Sequence, residues 1–496
     1  VTGEQETATT TNGEPARTGR RWAQWLGPLA FIGLMLLPAP AGMAPMAWHT
    51  VALAVWMAIW WSTEAVPVPI TALLPVVALP LMDIRDLAAA TAPYAHPLIF
   101  LFLGGFLIAL GIQRHNLHRR MALAIIARIG TRPAALVAGF MAATGAISMW
   151  VSNTATAMMM LPIAISVIRE VEGNRADTGT GERNDFAVAL LLAVAYGASI
   201  GGLGTLIGTP PNALLAAFAA ETYGIRIGFA EWMAIGVPMS LTLGLLAWLI
   251  LTRGAFRPDR HATATTDATI AAHISDMGPM TPAEKRVAAI FLLVAASWLL
   301  RPLLNKLPGL EPLSDPAIAV AAGALLFVVP AGGPRREPLL GWKDAAALPW
   351  GTLILFGGGL SLAAAVSASG LAAWIGDALG AFAGWPIWAM TLLIALVVVF
   401  LTELTSNTAT TAAFLPVMGV LAVLVGVDPL VLMAPAALAA SAAFMLPVAT
   451  PPNAIVHGSG LVSIPQMVRA GLWLNLATVV LIAVLMPPLL GLVFGG

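Results

Sequence analysis

Two polar five-residue sequences lie in the middle of long apolar stretches: Ser152-Asn153-Thr154-Ala155-Thr156 and Ser406-Asn407-Thr408-Ala409-Thr410. Serine, asparagine and threonine favour helix N-caps, because their short side chains accept from the first free backbone N–H groups. At a chain reversal, such a motif can open the returning helix and still offer hydroxyl and amide donors to a ligand. A second pair follows in the same order: Gly208-Thr209-Pro210-Pro211-Asn212 and Ala449-Thr450-Pro451-Pro452-Asn453. Adjacent prolines remove N–H donors and break the helix, freeing carbonyls one turn earlier and exposing the N-terminus of the half-helix that resumes. No lysine or arginine lies within any of the four motifs. They suit a neutral, oriented anion site built from helix N-termini, hydroxyls and amides.

A hydroxyl stands four residues before each tip serine, Ser148 in the first case and Thr402 in the second, one helical turn away on the same face. Hydroxyl, carboxamide and freed carbonyl oxygens suit a small hard cation at a broken helix. Two sodium sites are therefore expected. The first would use Ser148, Ser152, Asn153 and the carbonyl of Gly208; the second, Thr402, Thr405, Asn407 and the carbonyl of Ala449. Cations placed there would offset the repulsion among carboxylates gathered in a low dielectric, which gives coupling a physical cause.

The elements that must position these groups belong in lipid. Of 496 residues, 59% are hydrophobic and 10% charged, against about half and about a quarter in a soluble domain. The net charge is zero, so no general attraction to nucleic acid is implied, and the absence of cysteine removes disulfides and thiolate chemistry. Apolar runs near the roughly 20 residues needed to span hydrocarbon recur along the chain. The expected fold is an all-α polytopic membrane protein with about 11 transmembrane helices and two re-entrant hairpins. The hairpins are placed at 133–168 and 384–425, with the polar motifs at their tips, and broken helices at 186–220 and 430–457. Residues 1–20 read as a disordered cytoplasmic tail, 21–252 as the first half, 253–284 as a cytoplasmic linker and 285–496 as the second half.

The two halves repeat. Phe102-Leu-Gly-Gly-Phe106 returns as Leu355-Phe-Gly-Gly-Gly359, offset by 253 residues, and the Ser-Asn-Thr motifs are 254 apart. The Thr-Pro-Pro-Asn motifs are 241 apart, and the charged loop 169–185 of the first half absorbs the shortfall. With each hairpin returning to its own side, an N-terminus inside puts 20 of the 24 Lys and Arg residues on the cytoplasmic face. The same layout separates the repeats by an odd number of crossings. They are expected to be inverted copies in the cytoplasmic membrane, as in secondary transporters with a site near the midplane.

These motifs, with the early run Trp61-Ser-Thr-Glu64-Ala-Val-Pro67 leading into Thr71-Ala-Leu-Leu-Pro75, resemble the divalent anion/sodium symporter family, the INDY-type dicarboxylate and citrate transporters. The resemblance runs from about residue 46 to the C-terminus. It implies a homodimer with a scaffold domain and a transport domain, moving by an elevator-type displacement. It assigns substrate carboxylates to Ser152, Asn153, Thr154, Ser406, Asn407 and Thr408, with Thr209, Thr450 and Pro451 close by, and its sodium positions coincide with the two sets above. The expected function is sodium-coupled symport of C4 dicarboxylates such as succinate, malate or fumarate, with no organic cofactor. A sodium-independent exchanger of the same fold, or citrate or sulfate as cargo, is the alternative. An intramembrane enzyme would need a nucleophile with a base, or a metal cluster, at membrane depth, and the sequence offers neither. Glu403, Glu64 and His457 read as structural groups, and the His115, His118, Arg119, Arg120 cluster as a cytoplasmic topology signal.

Overall fold

The computed structural model describes residues 21–130, 132–173, 185–258, 271–332, 336–378 and 384–495. The expected tail, 1–20, and part of the expected linker, 259–270, lie outside the described residues. Among them the architecture is all-helical, and one isolated bridge, Pro330 to Pro338, is the β pairing present. Eight of the described helices are long and apolar enough to cross a membrane, and several shorter apolar helices accompany them. The protein is an all-α polytopic membrane protein.

Prolines and polar turns end several of the apolar runs. The stretch 66–82 forms two short helices, Val68–Thr71 and Leu74–Leu81, because Pro67, Pro69, Pro75 and Pro80 each remove a backbone donor. At the first polar motif, the helix Pro133–Ser148 ends and Asn153–Gly173 returns. At the second, Ile387–Thr402 ends and Asn407–Leu424 returns. At the prolines, Asp185–Gly202 breaks off and resumes as Pro210–Tyr223, and Leu430–Ala440 resumes as Pro451–Gly458. Helix Pro282–Leu304 begins inside the stretch read as linker, with a capping box at Thr281 and Glu284.

Asp185–Gly202 is the hub. Every residue from Phe186 to Gly202 is buried, as suits a helix that is apolar all round. It packs along Pro133–Ser148 at backbone distance: a β-carbon on Gly201 would meet the backbone of Gly145, and one on Gly197 would lie 2.8 Å from the Met141 carbonyl oxygen. Small residues are what allow such an approach where lipid supplies no hydrophobic driving force. The halves interleave around this hub, because Pro451–Gly458 packs on Asn153–Gly173 while Pro210–Tyr223 packs on Asn407–Leu424. A second group of contacts joins Pro97–Arg114 to Asp315–Leu326, with Trp350–Ala368 alongside Pro210–Tyr223. Helix Pro282–Leu304 turns Leu292, Leu293, Leu299, Leu300 and Leu303 outward, an apolar stripe for acyl chains.

Replacing Gly201 by alanine should lower the thermal unfolding midpoint in detergent by several degrees, consistent with an overpacking cost of about 1–3 kcal/mol. Gly244→Ala, where a β-carbon would meet nothing within 4 Å, should leave the midpoint unchanged or raise it slightly.

Candidate functional site

All four motifs meet at one cavity of about 1130 Å³. Ser152, Asn153 and Thr154 line it from the first hairpin, and Thr405, Ser406, Asn407 and Thr408 from the second. Gly208 and Thr209 come from the first broken helix, and Ala449, Thr450 and Pro451 from the other. Four helices therefore start at this cavity, at Asn153, Asn407, Pro210 and Pro451, and each directs its free N–H groups and the positive end of its dipole there. The caps differ in detail. Ser152 Oγ accepts from Ala155 N at 3.3 Å and Thr450 Oγ1 from Asn453 N at 3.4 Å, whereas Ser406 and Thr209 make no side-chain cap bond.

Ser148 and Thr402 do not line the cavity; both are fully buried behind the hairpin tips. Each forms the centre of an oxygen node. Ser148 Oγ lies 2.6 Å from Asn153 Oδ1 and 2.7 Å from the Ala198 carbonyl oxygen. Thr402 Oγ1 lies 2.7 Å from Asn407 Oδ1 and 2.8 Å from the Ala440 carbonyl oxygen. One hydroxyl proton cannot satisfy two acceptors fully. In the first node the carboxamide atom of Asn153 that faces Ser148 also lies 3.2 Å from the carbonyl oxygens of Ala198 and Gly208. With nitrogen there, the amide donates to its neighbours; with oxygen there, four oxygens converge and a cation between them relieves their repulsion. In the second half the Thr405 hydroxyl is engaged by Leu401 O at 3.0 Å and the Thr410 hydroxyl at 2.6 Å.

The non-helical segments before the prolines are held by the asparagines that end each Thr-Pro-Pro-Asn motif. Asn212 Nδ2 donates to Gly202 O at 3.1 Å and Thr205 O at 2.8 Å; Asn453 Nδ2 donates to Ala443 O at 3.2 Å and Leu446 O at 3.1 Å. Donors and acceptors alike are 241 residues apart, so the sequence repeat is also a repeat of contacts. Glu403 breaks the symmetry. It is buried, and its carboxylate accepts from Phe444 N at 2.7 Å, Met445 N at 2.9 Å, Leu446 N at 2.9 Å and Asn475 Nδ2 at 2.7 Å. Met149 occupies the matching place, and there the Thr205 hydroxyl donates to the Met149 carbonyl instead. Tyr196 Oη donates to Phe444 O at 3.0 Å and ties the first broken helix to the second.

The reading of Glu403 as an anchor agrees with these contacts, and His457, bonded through Nδ1 to Val462 O at 2.8 Å, is likewise a structural group. The carbonyls of Ala198 and Ala440 are not legible in the sequence, because backbone groups have no residue signature. A faint signal existed in Ala198-Ser199 and Ala440-Ser441, which stand ten and nine residues before Gly208 and Ala449. Removing the anchor with Glu403→Ala should strand three backbone N–H groups at about 1–3 kcal/mol each and make segment 441–450 accessible to limited proteolysis. Glu403→Gln should retain part of the thermal stability lost by the alanine variant.

Residues 19–492 match the family model for the sodium:sulfate symporter transmembrane region. The chain is 43% identical over 474 residues to the sodium-dependent dicarboxylate transporter SdcS of Staphylococcus saprophyticus, covering 94% of this chain and 91% of that protein. It is 42% identical over 485 residues to SdcS of Staphylococcus aureus strain MRSA252, covering 97% of this chain and 93% of that protein. The crystal structure of the Alcanivorax borkumensis YdaH transporter shares the fold, with a TM-score of 0.60 at 16% identity over 90% of this chain and 99% of that one. The chain belongs to the sodium:sulfate symporter family, the divalent anion/sodium symporters, and is a membrane transporter rather than an enzyme.

Proposed function

We propose that this protein is a sodium-coupled symporter of C4 dicarboxylates such as succinate, malate or fumarate. The observation that carries the proposal is the pair of matching oxygen nodes, Ser148–Asn153–Ala198 and Thr402–Asn407–Ala440, each placed directly behind an asparagine that lines the shared cavity. An asparagine in that position has two ends. Its oxygen can serve a cation in the node while its amide nitrogen donates to an anion in the cavity, so each ligand orients the group that the other needs. The staphylococcal relatives are sodium-dependent dicarboxylate transporters, which supports the same reading.

In this reading a substrate carboxylate takes donors from Ser152, Asn153 and Thr154, and the other from Ser406, Asn407 and Thr408, with Thr209, Thr450 and Pro451 at the flanks. Sodium ions occupy the first set, Ser148, Ser152, Asn153 and Gly208, and the second, Thr402, Thr405, Asn407 and Ala449. Helix dipoles supply positive potential without a fixed cation, so the emptied binding motifs hold no lysine or arginine that must be neutralised on the return. The hairpins and broken helices pack as an interleaved body around Asp185–Gly202, and we propose that this body moves as a unit, in an elevator-type displacement, within a homodimer in the plasma membrane with its N-terminus inside.

Radiolabelled succinate uptake into proteoliposomes tests the proposal, with an inward sodium gradient, with choline in its place, and with unlabelled succinate inside. Uptake that requires the sodium gradient is expected. Uptake driven only by internal succinate would establish an exchanger, and uptake of sulfate or citrate in place of succinate would reassign the cargo. Ser148→Ala and Thr402→Ala should each raise the sodium concentration for half-maximal uptake by about tenfold, the loss of about 1.4 kcal/mol of cation affinity. At saturating sodium, their succinate KM should approach that of the parent protein.

A further inference from the structure

The wall of the cavity that faces the hairpins carries one charged side chain among the described lining residues, and its sign is opposite to what an anion needs. Glu64 lies there with Ser62 and Gln113, at the ends of the helices Pro45–Thr63 and Pro97–Arg114. Its side chain is exposed to the cavity, and among the described residues no hydrogen bond or ion pair engages its carboxylate. Its backbone is left-handed, with φ at 48°, a conformation that costs energy for a residue with a β-carbon. Among the described residues, no lysine, arginine or histidine lines the cavity to neutralise it. The left-handed backbone of Glu64 ends the helix Pro45–Thr63, but among the described residues its carboxylate itself neither caps a helix nor pairs with a cation.

We infer that Glu64 is a charge-discriminating residue of the cavity, acting through its field on both cargo and coupling ion. The inference rests on the anion and sodium reading proposed above. The field attracts cations into the cavity and opposes anions in proportion to their charge, so it favours the entry of sodium and weakens the binding of the anion. Glu64 is on neither a hairpin nor a broken helix, and among the described residues no hydrogen bond joins its carboxylate to the binding motifs, so it shapes affinity through its field. A cavity of this volume is on the order of 10 Å across, and a unit charge at that distance from a dianion in water shifts affinity by about fourfold. The shift scales with charge, giving about eightfold for a trianion and about twofold, in the opposite direction, for sodium.

Equilibrium binding of radiolabelled succinate, citrate and sodium to the purified full-length protein tests this, at alkaline pH where citrate is a trianion. Glu64→Gln removes the charge, Glu64→Gly also suits the left-handed backbone, and Glu64→Asp keeps the charge. The two neutral variants should bind succinate about fourfold more tightly, citrate about eightfold more tightly and sodium about twofold more weakly, with the differences shrinking in high choline chloride. Glu64→Asp should resemble the parent. Equal affinities in parent and neutral variants, or one common shift for all three ligands, would overturn the role of Glu64 and leave the symporter proposal standing. If the parent binds neither anion, the dicarboxylate reading fails, and the sodium comparison alone then upholds or refutes the field of Glu64 on cations.

Discussion

A backbone N–H or carbonyl that leaves its helix inside a bilayer has no water to turn to, and each unpaired group costs several kcal/mol. The cavity exists because the chain incurs that cost at four places and recovers it with specific partners. Asn212 and Asn453 satisfy the carbonyls released before each proline pair, and Glu403 collects three N–H groups of segment 444–446. The groups left over are the ones that face the cavity or the oxygen nodes: helix N-termini on one side, carbonyl and hydroxyl oxygens on the other. An anion and a cation are the species that would complete this set.

The repeat explains why the solution is nearly symmetric, and the departures from symmetry show what is dispensable. Ser148 and Thr402 hold the same place with different side chains, because the node uses only the hydroxyl. Glu403 and Met149 hold the same place with unrelated chemistry, because the first broken segment is closed by Thr205 and Trp232 while the second relies on a buried carboxylate with Asn475. Tyr196 then fastens one half to the other through Phe444. Packing of Gly145 against Gly201 brings the first hairpin close enough for Ser148 to reach Ala198, so the small residues of the hub set the geometry of the node.

Much of this was legible in the sequence, since it is written in side chains with strong local rules. Apolar length and the doubled polar motifs mark the spans and reversals, proline marks the breaks, and the hydroxyls of Ser148 and Thr402 stand five residues ahead of the asparagines they bond. The rest depends on groups without a sequence signature. Ala198 and Ala440 act through carbonyls, and the long-range contacts of Tyr196 and Asn475 join residues 248 and 72 positions from their partners. Glu64 stands beside Pro67 in a recognisable motif, but its place on the cavity wall follows from the left-handed turn and from how that turn packs, which composition does not reveal.

The central claim is that Asn153 and Asn407 join the two ligands by serving a cation with one end of the amide and an anion with the other. Sodium affinity of the purified protein, measured by equilibrium binding with and without saturating succinate, tests that claim most directly. Linkage requires succinate to tighten sodium by the same factor by which sodium tightens succinate, and the account predicts that this shared factor collapses in Asn153→Ala. Sodium and succinate binding that remain independent in the parent, or a coupling factor left intact in Asn153→Ala, would contradict it.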